Sequence, residues 1–302
     1  MASAGRTGSL AAGSAGAGSA GAGTVTLGPA VFEEGRLVSL GGLSVAGPRL
    51  ELWRAPTDND GGGAGHGSYD LADPWLNNGI GVPAPPSAEV WRTAGLDRLT
   101  ARVEKVAAND ESVVVRTRYA PADSADSVTV EEHWQLADGE LWLRLDIVPS
   151  AGWNMIWPRI GVSFDLPDSV DGASWFGAGP RESYPDSMHA ALIGRYSAAI
   201  DDLRVPYAKP QESGHRSAVR SLELNNAGAP WLKIETVPDS RGRRPGFTLA
   251  RHTAQEVSAA AHPHELPRSE HSYLYLDAAQ LGLGSRACGP DVWPDFALRP
   301  EA

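Results

Sequence analysis

The chain has 302 residues, 42% of them hydrophobic, enough for one large all-β domain or two average ones and too apolar for global disorder. Its 26 basic side chains stand against 37 acidic ones, and the resulting formal charge of −11 excludes a nucleic-acid partner, because phosphate binding needs a basic face. A single cysteine, Cys288, excludes an intrachain disulfide framework, and no apolar run approaches the ~20 residues of a membrane span.

Residues 2–23 are almost entirely Ala, Gly and Ser, the composition of a flexible linker without the apolar core of a signal peptide. Residues 1–24 are therefore read as a disordered tail or linker, residues 25–302 as one domain, and the cytoplasm as the expected location. Val25, Leu27, Val31 and Phe32 begin a strand-like pattern, which turns at Glu34-Gly35 and resumes over Leu37–Leu40. A further alternating strand carrying Leu50, Leu52 and Trp53 runs into Pro56, which cannot donate to a sheet ladder. The turn-forming residues Thr57, Asp58, Asn59 and Asp60 and three glycines follow. A strand end thus presents Arg54 beside two carboxylates and an amide, either as a satisfied structural corner or as a sugar- or metal-facing rim.

Residues 69–88, with four prolines, read as a long irregular excursion, and strands are expected from Trp91 onward. Val128, Val130, Trp134 and Leu136 alternate with polar residues, Ala137-Asp138-Gly139 reverses the chain, and Leu141, Leu143, Leu145 and Ile147 alternate on the return. This is a hairpin signal. Further alternating runs cover 160–166, 218–224, 231–237 and 273–276. One helix start is encoded, by Thr253 and Glu256 as a capping box. Helices do not alternate with strands, so a (β/α)₈ barrel is excluded and a large antiparallel sandwich is expected. Core filling is the expected role of most of the ten tryptophans.

Three more turn-rich segments stand out, at 177–186, 206–214 and 280–291. Glu182 and Glu212 both sit on such loops beside aromatics, and a glycosidase needs two carboxylates at defined separation. Among 37 acids chance pairing is easy, so a structural role in the turns is the simpler reading. His262, His264 and His271 gather near Glu265 without the fixed spacing zinc requires, so no metal site is assigned. Cys288 has a cation, Arg286, close by but no histidine near it in sequence, and reads as a small pocket-lining side chain rather than a nucleophile.

Together these segments are specific. Trp-Arg-Ala-Pro-Thr-Asp-Asn-Asp (53–60), Gly-Pro-Arg-Glu-Ser-Tyr-Pro-Asp (179–186), Pro-Gln-Glu-Ser-Gly-His-Arg (210–216) and Leu-Gly-Leu-Gly-Ser-Arg-Ala-Cys-Gly-Pro-Asp (281–291) occur in the order found in one family. From about Val25 to Leu298 the chain resembles the C-terminal domain of the large microbial β-galactosidases of glycoside hydrolase family two. Ser187 and Ser213 depart from the residues common at their positions, Arg and Asn, which touches local turn geometry rather than fold.

The resemblance implies an all-β antiparallel supersandwich related to galactose mutarotase. It implies a part in retaining hydrolysis of terminal β-D-galactose residues, with both catalytic glutamates on a barrel domain that this sequence lacks. No catalytic residue and no cofactor are expected on this chain, and any metal ions belong to the catalytic domain. The partners implied are a β-galactoside or galactose and a barrel-bearing large subunit, as in split enzymes of the family. Cys288 matches a rim position facing the sugar, with Arg286 and Asp291 beside it, whereas Arg54, Asp58, Asn59, Asp60, Glu182, Tyr184 and Glu212 become internal scaffolding. A carbohydrate-binding domain without catalysis, a mutarotase-like epimerase with a His and a Glu over the sugar ring, and a truncated remnant are the alternatives.

Overall fold

A computed structural model describes residues 23–61, 85–122, 124–285 and 292–300. Their strands form three antiparallel sheets. In the first, β1 (Thr24–Leu27), β2 (Ala30–Glu33), β3 (Arg36–Leu40) and β4 (Leu43–Glu51) form a meander. β4 then pairs with β9 (Arg159–Pro167), which is followed by β15 (His271–Gln280) and β14 (Gly246–Ala250). The second sheet is a meander of β5 (Thr100–Ala108), β6 (Ser112–Ala120), β7 (Val128–Ala137) and β8 (Glu140–Pro149). The third has the order β11 (Leu192–Ala199), β10 (Val170–Gly179), β12 (Ser221–Asn226) and β13 (Ala229–Glu235). An all-β sandwich of antiparallel sheets is thus what the alternating sequence encodes.

Tight turns set the registers. At Glu34-Gly35, Gly41-Gly42, Asp138-Gly139 and Ala227-Gly228 both central residues have positive φ, the geometry whose twist matches that of the flanking strands. The Asp138 reversal is one residue tighter than the sequence suggested, because Ala137 still pairs with Glu140. A second helix, α1 (Ser87–Thr93), lies where loop and strand were expected, and it carries Trp91. Seven residues are too few for a legible helical period; only Pro86 before it, Glu89 in the first turn and Arg92 in the last mark its ends. The capping box at Thr253 is present. Its Oγ1 accepts from Glu256 N at 3.1 Å, Glu256 Oε2 accepts from Thr253 N at 2.8 Å, and α2 (Ala254–Ala259) follows.

Two cores result. The larger lies where the three sheets meet, with Phe32, Val162, Phe164 and Leu274 from the first, Val113 and Trp134 from the second, and Trp175 and Leu222 from the third. The smaller is rich in tryptophan: Trp53 meets Trp91 edge to face at 6.4 Å, and Trp153 meets Trp157 at 5.2 Å. Six tryptophans are buried among the described residues, and Trp142 and Trp293 are about half exposed. On β15 the alternation sends Leu274 and Leu276 into the larger core and turns Tyr273, Tyr275 and Asp277 to the opposite face. That face carries the charged groups described below. No helix among the described residues is long and apolar enough to cross a membrane.

One inward position on β7 breaks the apolar pattern. Glu132 lies between Val130 and Trp134, and its partner is the Trp134 indole N–H at 3.1 Å. Burial pushes its carboxyl up to about 7 against that one hydrogen bond. A raised folded-state value means the folded chain binds the proton more tightly than the unfolded one. Its contribution therefore favours folding at low pH and is lost as pH rises from about 4.5 through about 7. Glu132→Gln is expected to flatten that slope and to exceed the parent by about 2 kcal/mol at pH 8, read from urea unfolding of the purified chain at pH 5 and pH 8.

Candidate functional site

The site is organised on the face of the first sheet that Asp277 occupies. In the ladder Asp277 stands between Gly246 on β14 and Gly161 on β9. Both glycines are required by close approach: a Cβ on Gly161 would come within 2.3 Å of Asp277 Oδ1, and one on Gly246 within 2.3 Å of the His215 ring. Into that space fold long polar side chains. Arg159 Nε and Nη2 donate to the two Asp277 oxygens at 3.0 and 2.9 Å, and the Gln280 amide donates to Oδ2 at 2.9 Å. His215 Nδ1 lies 3.3 Å from the same oxygen. Burial alone would raise the Asp277 carboxyl; Arg159 and His215 outweigh it and hold it below the usual carboxylate range.

Around this pair sit the loop residues. The Arg159 guanidinium lies 4.5 Å over the Tyr275 ring and 3.9 Å from Glu212, and Tyr275 Oη accepts from Ala254 N, the first residue of α2. Glu212 Oε1 accepts from the Tyr184 hydroxyl at 2.9 Å, and Glu212 N donates to Ala55 O at 3.0 Å. Glu182 accepts from Gly214 N at 2.8 Å. The two glutamates are thus each taken up by a partner on a neighbouring loop. Glu51 at the end of β4 accepts from Trp53 N and Gln255, and burial, outweighing Arg159 and Arg49, raises its carboxyl to about 7.

The turn after β4 reaches to the other end of the chain. Arg54 is fully buried. Its Nε and Nη2 clamp the two Asp60 oxygens at 3.1 and 2.7 Å, and Asp60 accepts in turn from Thr57 N. Nη1 donates to Leu281 O at 2.8 Å and Nη2 to Gly282 O at 3.0 Å. The Asn59 amide donates to Leu283 O at 2.9 Å. Asp58, largely exposed, exchanges hydrogen bonds with Gln211 and lies 3.7 Å from Lys209. From the opposite side Asp186 accepts from Leu283 N at 2.9 Å, from Gly284 N at 2.8 Å and from the Ser285 hydroxyl at 3.0 Å. The loop 281–285 is therefore held by both the 53–60 and 179–186 segments. Arg286, Cys288 and Asp291 lie outside the described residues.

Three of the sequence segments converge in space with residues 281–285 of the fourth, and the sequence profile of the family described as "Beta galactosidase small chain" matches residues 31–302. The chain belongs to the β-galactosidase small-chain family. It is 68% identical over 278 residues, 92% of its length, to a β-galactosidase of Arthrobacter sp. (strain B7), of which it covers 27%. It is 32% identical over 218 residues to a β-galactosidase of Vibrio cholerae, covering 69% of this chain and 20% of that protein. Against a β-galactosidase of Aeromonas hydrophila it is 31% identical over 258 residues, 83% and 22% of the two lengths. The chain thus spans about a quarter or less of these relatives' lengths.

Within this small-chain domain, the sequence reading passed over Arg159 and Asp277, which lie on strands rather than in turn-rich segments, and gave no separate weight to Gln280, His215 or Asp186. One signal was present: isolated glycines inside alternating strands, Gly161 and Gly246, mark close approach of other groups. The histidines after α2 form a stacked pair, His262 and His264 with ring centroids 5.5 Å apart, and Glu265 Oε2 caps the backbone N–H of Ala261 and His262.

Removing one partner of the Arg159–Asp277 pair leaves a buried charge without compensation. Asp277→Ala is expected to destabilise the chain by about 3–5 kcal/mol, and Gly161→Ala to destabilise it as well by displacing the carboxylate. Denaturant midpoints of the two variants against the parent provide the check.

Proposed function

We propose that this chain acts as the small-chain portion of a β-galactosidase that hydrolyses terminal non-reducing β-D-galactose residues of lactose-type substrates with retention. The acid/base and nucleophile glutamates stand on a barrel-bearing portion outside this chain, which itself supplies no catalytic residue and needs no cofactor. Its role is to complete the rim of the active site, with Cys288, flanked by Arg286 and Asp291, facing the galactoside. The assembly works in the cytoplasm.

The observation that carries this reading is the 68% identity over 92% of the chain to a protein named β-galactosidase, of which the match takes up only 27%. The geometry supports it from the residues upward. Arg54, Asn59 and Asp186 spend their hydrogen bonds on the loop 281–285, which leads directly into the proposed rim residues. The buried carboxylates have partners of their own, which favours a scaffold over a hydrolytic pair. His215 and Glu212, the residue types an epimerase would need, are 3% and 6% exposed and are bonded inside the network, His215 beside Asp277 and Glu212 to Tyr184.

The test uses a chimera of the Arthrobacter enzyme whose matching segment is exchanged for residues 25–302. The purified chain alone is expected to leave a chromogenic β-galactoside uncleaved, and the chimera to cleave it. Turnover by the lone chain, or a folded chimera without activity, overturns the proposal. Galactose binding by the lone chain, with no turnover in the chimera, points to a carbohydrate-binding module instead.

A further inference from the structure

We propose that Asp186 is a positioning residue for the galactoside site, setting the placement of the loop 281–285 through its carboxylate. The inference rests on the reading above, that this loop leads into the active-site rim.

The loop enters from β15 and is fixed at both margins. Gly282 N donates to Phe296 O at 3.2 Å, and the Ser285 hydroxyl accepts from Trp293 N at 3.1 Å, so residues on either side of 286–291 are tied together. Arg54 and Asn59 hold the carbonyls of Leu281, Gly282 and Leu283. Asp186 gathers the donors on the other side: Oδ1 takes Leu283 N, and Oδ2 takes both Gly284 N and the Ser285 hydroxyl. Three convergent donors on one carboxylate fix the direction of a loop as well as its distance. The fit is close, because a Cβ on Gly282 would lie 2.4 Å from Asp186 Oδ2. Gly284 has a φ of +154°, and a Cβ there would meet the Asn59 amide at 2.1 Å. The loop therefore passes between Asp186 and Asn59 with glycine where each approaches.

An acceptor-only carboxylate cannot be replaced by an amide at this place. In Asp186→Asn the NH₂ group faces a donor in either orientation, Leu283 N on one side or Gly284 N and the Ser285 hydroxyl on the other. The loop must shift by the width of at least one lost hydrogen bond. Because the catalytic glutamates are elsewhere, that shift is read as weaker substrate placement rather than loss of chemistry.

The experiment uses the active Arthrobacter chimera carrying residues 25–302, with a nitrophenyl β-galactoside as substrate and a thio-β-galactoside as non-hydrolysed probe. Asp186→Asn is expected to raise KM and the inhibition constant of the thiogalactoside together by fivefold or more, with kcat changed less than twofold. Ser285→Ala, which removes one of the three bonds to Asp186 together with the acceptor for Trp293 N, is expected to move both constants two- to threefold in the same direction. The control is Asp239→Asn, on an exposed turn where the carboxylate also accepts from two backbone N–H groups, Arg241 N and Arg243 N. It is expected to leave both constants unchanged.

Unchanged constants in Asp186→Asn and Ser285→Ala overturn the inference, as does an equal response to Asp239→Asn. If Asp186→Asn fails to fold, unchanged constants in Ser285→Ala suffice to overturn it. An inactive parent chimera overturns the rim reading itself, which separates the two failures.

Discussion

The fold is organised around a charge placed where a β-sheet would ordinarily be apolar. Asp277 sits on β15, with neighbours on both sides in its sheet, is 1% exposed, and holds Arg159 by two hydrogen bonds. Such a pair gains little net stability over an apolar substitute, because desolvation offsets most of the attraction. What it adds is specification: Arg159, His215 and Gln280 share one carboxylate, and Glu212 and Tyr184 close around them. Loops that lie far apart in sequence are thereby referred to one fixed point on a sheet. Glycine on both flanking strands is the condition for this, since any side chain there would occupy the space the polar groups need.

Around that centre the polar contacts run outward in layers. Glu212 and Tyr184 join the 206–214 and 179–186 segments; Ala55 O and Gln211 connect these to the turn after β4; Arg54, Asn59 and Asp186 then reach the loop 281–285. Apart from the Tyr184–Glu212 contact, each step uses a backbone group as donor or acceptor, so the loops are fixed in main-chain position and not merely tethered by side chains. This suits the rim role proposed above. The electrostatics agree: the carboxylates inside this region are paired with Arg159 and Arg54 or bonded to neutral donors.

Much of this was legible in the sequence, and the rest was hidden for identifiable reasons. Period-2 alternation with glycine turns disclosed the hairpin of β7 and β8 and the strands over 160–166 and 273–276. The Thr253–Glu256 capping box disclosed α2. Helix α1 was hidden because seven residues after a proline-rich stretch show no period. Glu132 was hidden because a single acid at an apolar position looks like a slip in the alternation; only the structure shows it turned inward against Trp134. The turn segments announced a family by their order, but which strand residues anchor them could not be read, since Arg159 and Asp277 are brought together across more than a hundred positions of sequence.

The strand order also bears on how such a domain assembles. In the second sheet every strand pairs with its sequence neighbour, so each hairpin closes only a short loop. In the first sheet, by contrast, β4 must find β9 with that whole meander intervening in the chain, and β9 then pairs with β15 beyond the third sheet. Local hairpins form quickly and distant pairings slowly. The polar face around Asp277, built from β4, β9, β14 and β15, therefore rests on the pairings that close the longest stretches of chain. The anchoring of the loop 281–285 thus depends on contacts between segments far apart in the chain.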